Sequence, residues 1–332
     1  VARRGDMVWV HDYHLQLVPR MLRALRPDLK IGFFLHIPFP PEELFAWLPW
    51  REQILTGILG ADVVGFQTHA AAQNFSRTAR EYTEAEGTDA LLSIGGREVR
   101  VGSYPVSIDF DWFENQAKLE DTLAEAKQIR RRLASRKVLL AVDRLDYTKG
   151  IDLRLRGLGK LPKSRQATAG GFGLGPVPPP SRGGGFEYAE MRTRIEELVG
   201  RINGEFSAPG RVAVHYFRRN LRREELAAYY RAADVMLVTP LRDGMNLVAK
   251  EFVATRFDGS GVLVLSEFAG AARQMRRALL KPRDLEATAR TIHEAMHMKP
   301  SEAKPRMAIL RSMVRRHDVY QWADEFLGAL AE

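Results

Sequence analysis

The stretch Thr239-Pro-Leu-Arg-Asp-Gly-Met-Asn-Leu-Val-Ala-Lys-Glu251 decides the fold, because it joins a buried strand to a helix through a tight turn. The apolar run 235–239 before it is typical of a buried parallel strand, and a helix is predicted over 245–256. The turn leaves backbone N–H groups at the start of this helix unpaired, which favours the binding of a phosphate or a sugar hydroxyl there. Asp243 and Glu251, about two helical turns apart, could take sugar and ribose hydroxyls. The spacing is equally consistent with an N-cap Asp and a solvated helix Glu.

The composition narrows the class of protein. The chain has 332 residues, 45% hydrophobic residues and a net charge of +9, which indicates a globular protein of about two domains. The Arg residues are scattered beside Glu residues on predicted helices, so a solvated surface explains the charge better than a nucleic-acid site. The absence of cysteine excludes disulfides, thiolate catalysis and Cys-ligated zinc. No apolar run reaches about 18 residues and no signal peptide is found, so we expect no membrane partner and a cytoplasmic location.

Predicted strands and helices alternate along most of the chain. Strands are predicted at 7–10, 30–35, 62–66, 138–142, 212–217, 235–238 and 262–265, with a hairpin over 91–101 and one helix over 42–59. This βαβ pattern predicts an α/β fold with parallel sheets, in which ligands bind at the carboxyl ends of the strands. The polar residues at those ends are Asp12, His36, Asp143, Arg144, Asp243 and Glu267.

Periodicity lapses at 105–109, which marks the predicted linker between two domains. The predicted domains are 1–105 and 106–300, and residues 301–332 are expected to form a C-terminal helical segment. Residues 157–180 are rich in Gly and Pro without a period, which indicates a flexible loop, although so long a loop is unusual inside a compact domain. A reading-frame slip that is later corrected would give the same composition. The chain begins shortly before a buried strand, so we expect its N-terminal part to be missing.

Several stretches together resemble the trehalose-6-phosphate synthases, retaining glycosyltransferases of family 20 with the GT-B fold. The matching stretches are Trp9–Leu15, Phe33–Pro40, Asp143–Ile151, Thr239–Glu251 and Gly200–Gly204. The resemblance covers nearly the whole chain except 157–180. It implies two Rossmann-like domains facing across a cleft, with the first domain incomplete, the second binding the nucleotide sugar, and the C-terminal helix packing back toward the first. The implied reaction transfers glucose from UDP-glucose to glucose 6-phosphate with retention and without a metal or other cofactor.

The resemblance also implies roles for individual residues. The implied donor-binding residues are His36, Arg144, Lys149, Asp243, Gly244, Met245, Asn246, Leu247 and Glu251, and the implied acceptor-binding residues are Asp12 and Arg182. Of these, Asp12, His36, Arg144, Lys149 and Asp243 are the expected catalytic residues, and Arg144 and Lys149 suit a leaving diphosphate. Asp12 is not expected to act as a nucleophile, because the family is associated with front-side attack. Ordinary structural roles remain open for each, such as surface cations or an N-cap.

Other functions remain as alternatives. The chain could be a GT-B glycosyltransferase with a different acceptor, or a non-catalytic, regulatory homologue that binds a nucleotide sugar. Nucleic-acid binding is supported only by the net charge. A nucleotide sugar and a sugar phosphate are therefore the expected partners. The sequence leaves open whether the nucleotide is UDP, GDP or ADP, and whether the protein is a homo-oligomer.

Overall fold

The computed structural model describes residues 2–133, 137–161, 169–174, 185–209, 212–276, 279–280 and 284–332, with the backbone alone for 169–174, 185–186 and 279–280. Contacts divide the chain into two compact units, Val1–Ser107 with Asp318–Glu332 and Ile108–His317. The divisions at 107/108 and 317/318 differ from those placed by the sequence at 105/106 and 300/301. The second division lies later because the helix over 300–316 packs against helices of the second unit.

The first unit contains one six-stranded sheet in the order β1-β2-β3-β6-β5-β4. Its elements up to residue 107 are β1 Met7–His11, α1 Val18–Leu25, β2 Lys30–Leu35, α2 Glu42–Phe45, α3 Arg51–Ile58, β3 Val63–Phe66, α4 His69–Tyr82, β4 Glu86–Gly87, β5 Leu91–Ile94 and β6 Arg97–Ser103. Strands β1, β2, β3 and β6 run parallel, and their register aligns Val10, Phe33, Val64 and Val101 in one buried row. This row anchors the core, so β1 and β2 end side by side where Asp12 and His36 begin.

The predicted helix over 42–59 is wrong, because the structure has two helices, α2 and α3, with turns between them. Pro49 lies in this gap. Proline lacks a backbone N–H and disfavours helical geometry in the residue before it, so the helix cannot run through.

The second unit contains a sheet in the order β11-β10-β9-β7-β8 with parallel pairing throughout the described strands. Its elements are α5 Phe110–Lys118, α6 Glu120–Leu133, β7 Lys137–Ala141, α7 Ile151–Gly159, β8 Ala169–Leu174, α8 Gly185–Phe206, α9 Arg223–Ala232, β9 Val235–Val238, α10 Leu247–Thr255, β10 Val262–Ser266, β11 Leu279–Leu280, α11 Leu285–His297 and α12 Pro300–Arg316. The buried residues Leu140, Met236 and Leu263 lie in register across β7, β9 and β10. The loops after β7 and β9 therefore emerge at the same edge.

The expectation of a loop throughout 157–180 is wrong for the described part of that range. Helix α7 continues to Gly159, and β8 at Ala169–Leu174 pairs in parallel with β7. A strand can form here without alternating apolar and polar residues, because the backbone groups of β7 need hydrogen-bond partners. The hydrogen bonds between neighbouring strands join backbone groups and do not depend on the side chains.

The strand predicted over 212–217 is also absent from the described residues there. The side-chain amide of Asn203 accepts from the N–H of Val214 at 2.7 Å and donates to its carbonyl at 3.0 Å. The N–H of Ala213 donates to the hydroxyl of Ser207 at 3.1 Å. Side chains at the end of α8 thus satisfy backbone groups that a ladder would otherwise use.

The closing helix, α13 at Val319–Ala331, belongs to the first unit and packs on β2 and β3. Its Phe326 is fully buried over two glycines of neighbouring strands, and a Cβ at Gly32 or at Gly65 would lie 2.6 Å from the phenyl ring. At the end of the helix, Lys30 and Arg100 donate to backbone carbonyls of its last turn. Burying one such phenyl group stabilises a fold by about 1.5–3 kcal/mol.

Candidate active site

In the second unit, Lys149 and Asp243 form a close ion pair at the carboxyl ends of β7 and β9. The Lys149 ammonium lies 2.6 Å from Asp243 Oδ2, and each side chain is only 14% exposed. The same carboxylate oxygen accepts from the side-chain amide of Asn246 at 3.0 Å. Asp243 is therefore held from two sides, with one cation directly against it.

Backbone contacts fix the spacing of the two loops that carry this pair. The N–H of Leu241 donates to the carbonyl of Thr148 at 2.6 Å. Gly150 has a φ of 62°, and a Cβ there would lie 2.5 Å from the carbonyl oxygen of Thr239. Only glycine fits this close approach without a shift of one loop.

A buried ion pair beneath the loops joins the same two strands. Arg154 on α7 donates to Asp143 Oδ2 at 2.7 Å, and their side chains are 0% and 4% exposed. The other end of the guanidinium donates to the carbonyl of Leu237 and to the hydroxyl of Thr239, both at 3.3 Å. Sequence reasoning missed Arg154, although its position on the apolar stripe of α7 is a signal that a buried partner exists.

The start of α10 lies directly after Asp243. Asn246 has a φ of 72° and caps the helix by accepting from the N–H of Ala249 at 3.3 Å. Left-handed backbone at a non-glycine residue is uncommon and favours Asn, which explains Asn246. Leu247 is the first residue of α10, so its N–H and those just before it lie at the positive end of the helix.

A second loop closes against this helix start. The N–H of Ala271 donates to the carbonyl of Met245 at 2.9 Å, and Met245 is buried. A Cβ at Gly270 would lie 1.8 Å from the carbonyl oxygen of Gly244, so no other residue fits there. Sequence reasoning did not single out Gly270, because the close approach comes from a segment distant in sequence.

Glu251 lies on α10 and is bound by a tyrosine that sequence reasoning also missed. The hydroxyl of Tyr230, on α9, donates to Glu251 Oε2 at 2.6 Å. Burial raises the pKa of Glu251, while the hydrogen bond from Tyr230 and the charge of Arg223 lower it. Burial also raises the pKa of Tyr230 well above its usual value, so Tyr230 is the donor.

Two further cations are predicted for the site, Arg144 and Arg182. Arg144 directly follows Asp143 and is exposed, and in the described part of the chain no carboxylate forms an ion pair with it. Its guanidinium is available to an anionic ligand. Arg182 lies outside the described residues.

In the first unit, Asp12 has a strained backbone. Its φ of 71° and ψ of 170° lie in a region that glycine alone adopts readily. Its N–H donates to the carbonyl of Phe34 at 2.8 Å, and its Oδ1 accepts from the N–H of His36 at 3.3 Å. Strain of this kind costs about 1–3 kcal/mol and is found mainly at functional sites.

His36 pairs with a second histidine, His11, which sequence reasoning did not select. His11 Nδ1 and His36 Nε2 are 3.1 Å apart, so one ring donates and the other accepts. Burial lowers the pKa of both rings, and each lies near the indole of Trp322 from α13. The pair is therefore neutral near pH 7.

Two further properties bear on the chemistry. Among the residues with described positions, no three His, Asp or Glu side chains are grouped so that they could hold a metal ion. None of the described helices is long and apolar enough to cross a membrane.

Comparisons with known proteins relate the whole chain to one group of enzymes. Residues 1–332 match the family model described as Glycosyltransferase family 20. The chain is 50% identical to a trehalose-6-phosphate synthase of Mycobacterium sp. (strain KMS), covering 100% of this chain and 70% of that protein. A trehalose-6-phosphate synthase of Mycolicibacterium smegmatis is also 50% identical, over 99% of this chain and 68% of that protein.

Solved structures agree with the family match. An alpha,alpha-trehalose-phosphate synthase (UDP-forming) from Burkholderia xenovorans, in complex with glucose-6-phosphate, is 33% identical with a TM-score of 0.92 and covers 100% of this chain and 75% of its own. A structure of trehalose-6-phosphate from E. coli bound with UDP-2-fluoro glucose is 33% identical, with a TM-score of 0.90. The match covers 100% of this chain and 74% of the chain in that structure.

Proposed function

The chain belongs to glycosyltransferase family 20, and on that premise we propose that it transfers glucose from UDP-glucose to glucose 6-phosphate, giving trehalose 6-phosphate and UDP. It has the GT-B fold, with two largely parallel sheets. The relatives described above with glucose-6-phosphate and with UDP-2-fluoro glucose support these two substrates.

The observation that carries the proposal is the arrangement of Lys149, Asp243 and Arg144 at one sheet edge. Cleavage of the bond between glucose and UDP leaves negative charge on the diphosphate. Lys149 supplies a point charge and Arg144 a planar fork of donors, and both stabilise that charge. Asp243, fixed by Lys149, is assigned to hydroxyls of the donor glucose. Such fixed charges lower the barrier because they need no reorganisation during the reaction.

The rest of the donor is assigned to α10 and the turn before it. Backbone N–H groups of residues 244–247 lie at the positive end of the helix, which suits a phosphate or a glucose hydroxyl. Glu251, two turns further along, is assigned to the ribose hydroxyls.

Two residues of the first unit are also assigned, Asp12 to the acceptor and His36 to the donor. Asp12 is assigned to the acceptor site, close to the hydroxyl of glucose 6-phosphate that attacks the anomeric carbon, and His36 is assigned to the donor glucose. In a front-side reaction, the acceptor oxygen bonds to the anomeric carbon as the carbon–phosphate oxygen bond breaks. The bonding electrons leave with UDP, and the hydroxyl proton passes to a phosphate oxygen. This sequence retains the anomeric configuration without a covalent intermediate, and catalysis comes from positioning and electrostatics.

The decisive experiment measures UDP released from UDP-glucose with and without glucose 6-phosphate. We expect release that depends on glucose 6-phosphate, with a product whose two anomeric carbons are both α by NMR. Lys149→Met should lower kcat strongly, whereas Lys160→Met, an exposed lysine at the far end of α7, should not. No acceptor-dependent release would refute the proposal, and equal use of unphosphorylated glucose would refute the assigned acceptor.

We further propose that the reaction needs no metal, because Arg144 and Lys149 provide the positive charge that a divalent cation would supply. Turnover should be unchanged after dialysis against EDTA, and a loss that Mg²⁺ restores would contradict this. The substrates are charged metabolites of the cytoplasm, where we place the reaction. A homo-oligomer is a further proposal, which sedimentation would test.

A further inference from the structure

We propose that Tyr230 is a positioning residue for recognition of the ribose. Its hydroxyl holds one oxygen of Glu251, so that the other oxygen is presented to the two ribose hydroxyls of the nucleotide. This inference rests on the proposed function, because it takes Glu251 to be the ribose-binding carboxylate. It adds a residue that touches no substrate and acts only through Glu251.

The geometry of the pair supports this role. Tyr230 is fully buried, and its hydroxyl lies 2.6 Å from Glu251 Oε2. In the described part of the chain, Oε1 of Glu251 accepts no hydrogen bond. A ribose diol has two adjacent hydroxyls, and a carboxylate fixed through one oxygen still has three lone-pair sites to accept from them.

Tyr230 is itself held in place, as a positioning residue must be. Its carbonyl accepts from Arg256 Nη1 at 2.8 Å, and its ring meets that of Phe252 edge-on with centroids 6.4 Å apart. Because both ends of the residue are fixed, the hydroxyl cannot follow Glu251 if that side chain moves. The tyrosine therefore selects one rotamer of the glutamate.

The charges around Glu251 explain why a hydroxyl is needed there. The carboxylate must be ionised to accept from both ribose hydroxyls, yet burial raises its pKa. Two groups on α9 oppose this, the Tyr230 hydroxyl first and the Arg223 guanidinium second. Asp143 at the end of β7 also faces Tyr230 and adds negative charge. Lys250 on α10 is buried, which lowers its pKa to about 7.

The experiment compares the affinities of UDP and 2′-deoxy-UDP for the whole chain and for Tyr230→Phe by calorimetry. The wild type should prefer UDP. Tyr230→Phe should weaken UDP about tenfold, as expected for one hydrogen bond to a charged group, and 2′-deoxy-UDP about twofold at most. The loss of UDP affinity should grow as the pH is lowered, because the carboxylate without its tyrosine partner takes up a proton more readily.

A matched control lies beside Tyr230 on the same helix. Tyr229 hydrogen-bonds to Arg219 instead, so Tyr229→Phe should leave both affinities unchanged. An equal loss for UDP and 2′-deoxy-UDP in Tyr230→Phe would overturn the inference, since a purely structural tyrosine would act on both alike. If the wild type bound no UDP at all, the proposed function itself would fail.

A second comparison does not depend on the stability of Tyr230→Phe. Glu251→Gln removes the carboxylate, and the double variant with Tyr230→Phe no longer leaves a buried charge unsatisfied. The double variant should bind UDP as Glu251→Gln does, within about twofold, because Tyr230 acts only through Glu251. A further tenfold loss in the double variant would show an independent role and would overturn the inference.

Discussion

The ion pair between Arg154 and Asp143 offers the sharpest test of what holds the two donor loops together. We consider Arg154→Met, which keeps the length and the apolar stem of the side chain but removes its charge. Both partners are almost completely buried, so water cannot replace the lost guanidinium. The change leaves a buried carboxylate without its cation.

The magnitude follows from that burial. Breaking a buried pair by removing one partner costs about 3–5 kcal/mol. The other two hydrogen bonds of Arg154 are long, at 3.3 Å, and add less than about 1 kcal/mol. Because whole proteins are stable by about 5–15 kcal/mol, the variant should still fold at 25 °C.

The loss should depend on pH. Burial raises the pKa of Asp143 and Arg154 opposes this, so the pKa rises further in the variant. A carboxyl group whose folded pKa exceeds its unfolded value stabilises the fold at low pH, and this contribution is lost as pH rises through the folded pKa. The destabilisation by Arg154→Met should therefore be smaller near pH 5 than near pH 8.

Hydrogen exchange read from peptides of β7 and β9 measures the effect, because it reports on the second unit alone. At pH 8 we expect protection to fall about a hundredfold or more, since each 1.4 kcal/mol is about tenfold. Adding Asp143→Asn to Arg154→Met should restore most of the lost protection against hydrogen exchange. Arg156→Met, an exposed arginine on the same helix, is the control. A loss below tenfold, or no recovery in the double variant, would refute the reasoning.

Three further predictions concern other parts of the site. Gly270→Ala should abolish UDP binding, because the new methyl group would collide with a carbonyl oxygen of the donor loop. Gly204→Ala in α8 is the control and should be tolerated, because a methyl group there meets no other atom. Calorimetry with UDP distinguishes the two variants. Asp12→Gly should relieve strain and raise the stability of the first unit by up to about 1 kcal/mol in urea unfolding, while turnover falls; a loss of stability would contradict the strain argument. The first unit should also lose stability between about pH 7 and pH 5, because burial lowers the pKa of His11 and His36 and the unfolded chain binds more protons. The same unfolding measurement should show a weaker pH dependence for His11→Gln, and an unchanged slope would count against this assignment.

The sequence predicted those parts of the fold that depend on local pattern. Buried runs such as 30–35 are strands, and Asp243 lies at a carboxyl end of the sheet, because apolar periodicity and βαβ order are visible without a structure. The assigned roles of the site residues stay predictions.

The errors arose where a distant partner decides the outcome. The pairing of β8 depends on open backbone groups of β7, and the absence of a strand at 212–217 depends on the side chain of Asn203. Tyr230 looks like any helix tyrosine in the sequence, because nothing local reveals that its hydroxyl meets Glu251. Contacts between residues far apart in sequence have no periodicity to predict them.

The glycine slot under Phe326 has a consequence for the order in which the protein is made. Gly32 and Gly65 are synthesised before the phenyl group that covers them, and the whole second unit lies between them and that group in the sequence. The second unit is continuous in sequence, so it can complete its core while the first still has an uncovered apolar surface. The nascent first unit should therefore expose this apolar surface and bind chaperones until α13 has been synthesised.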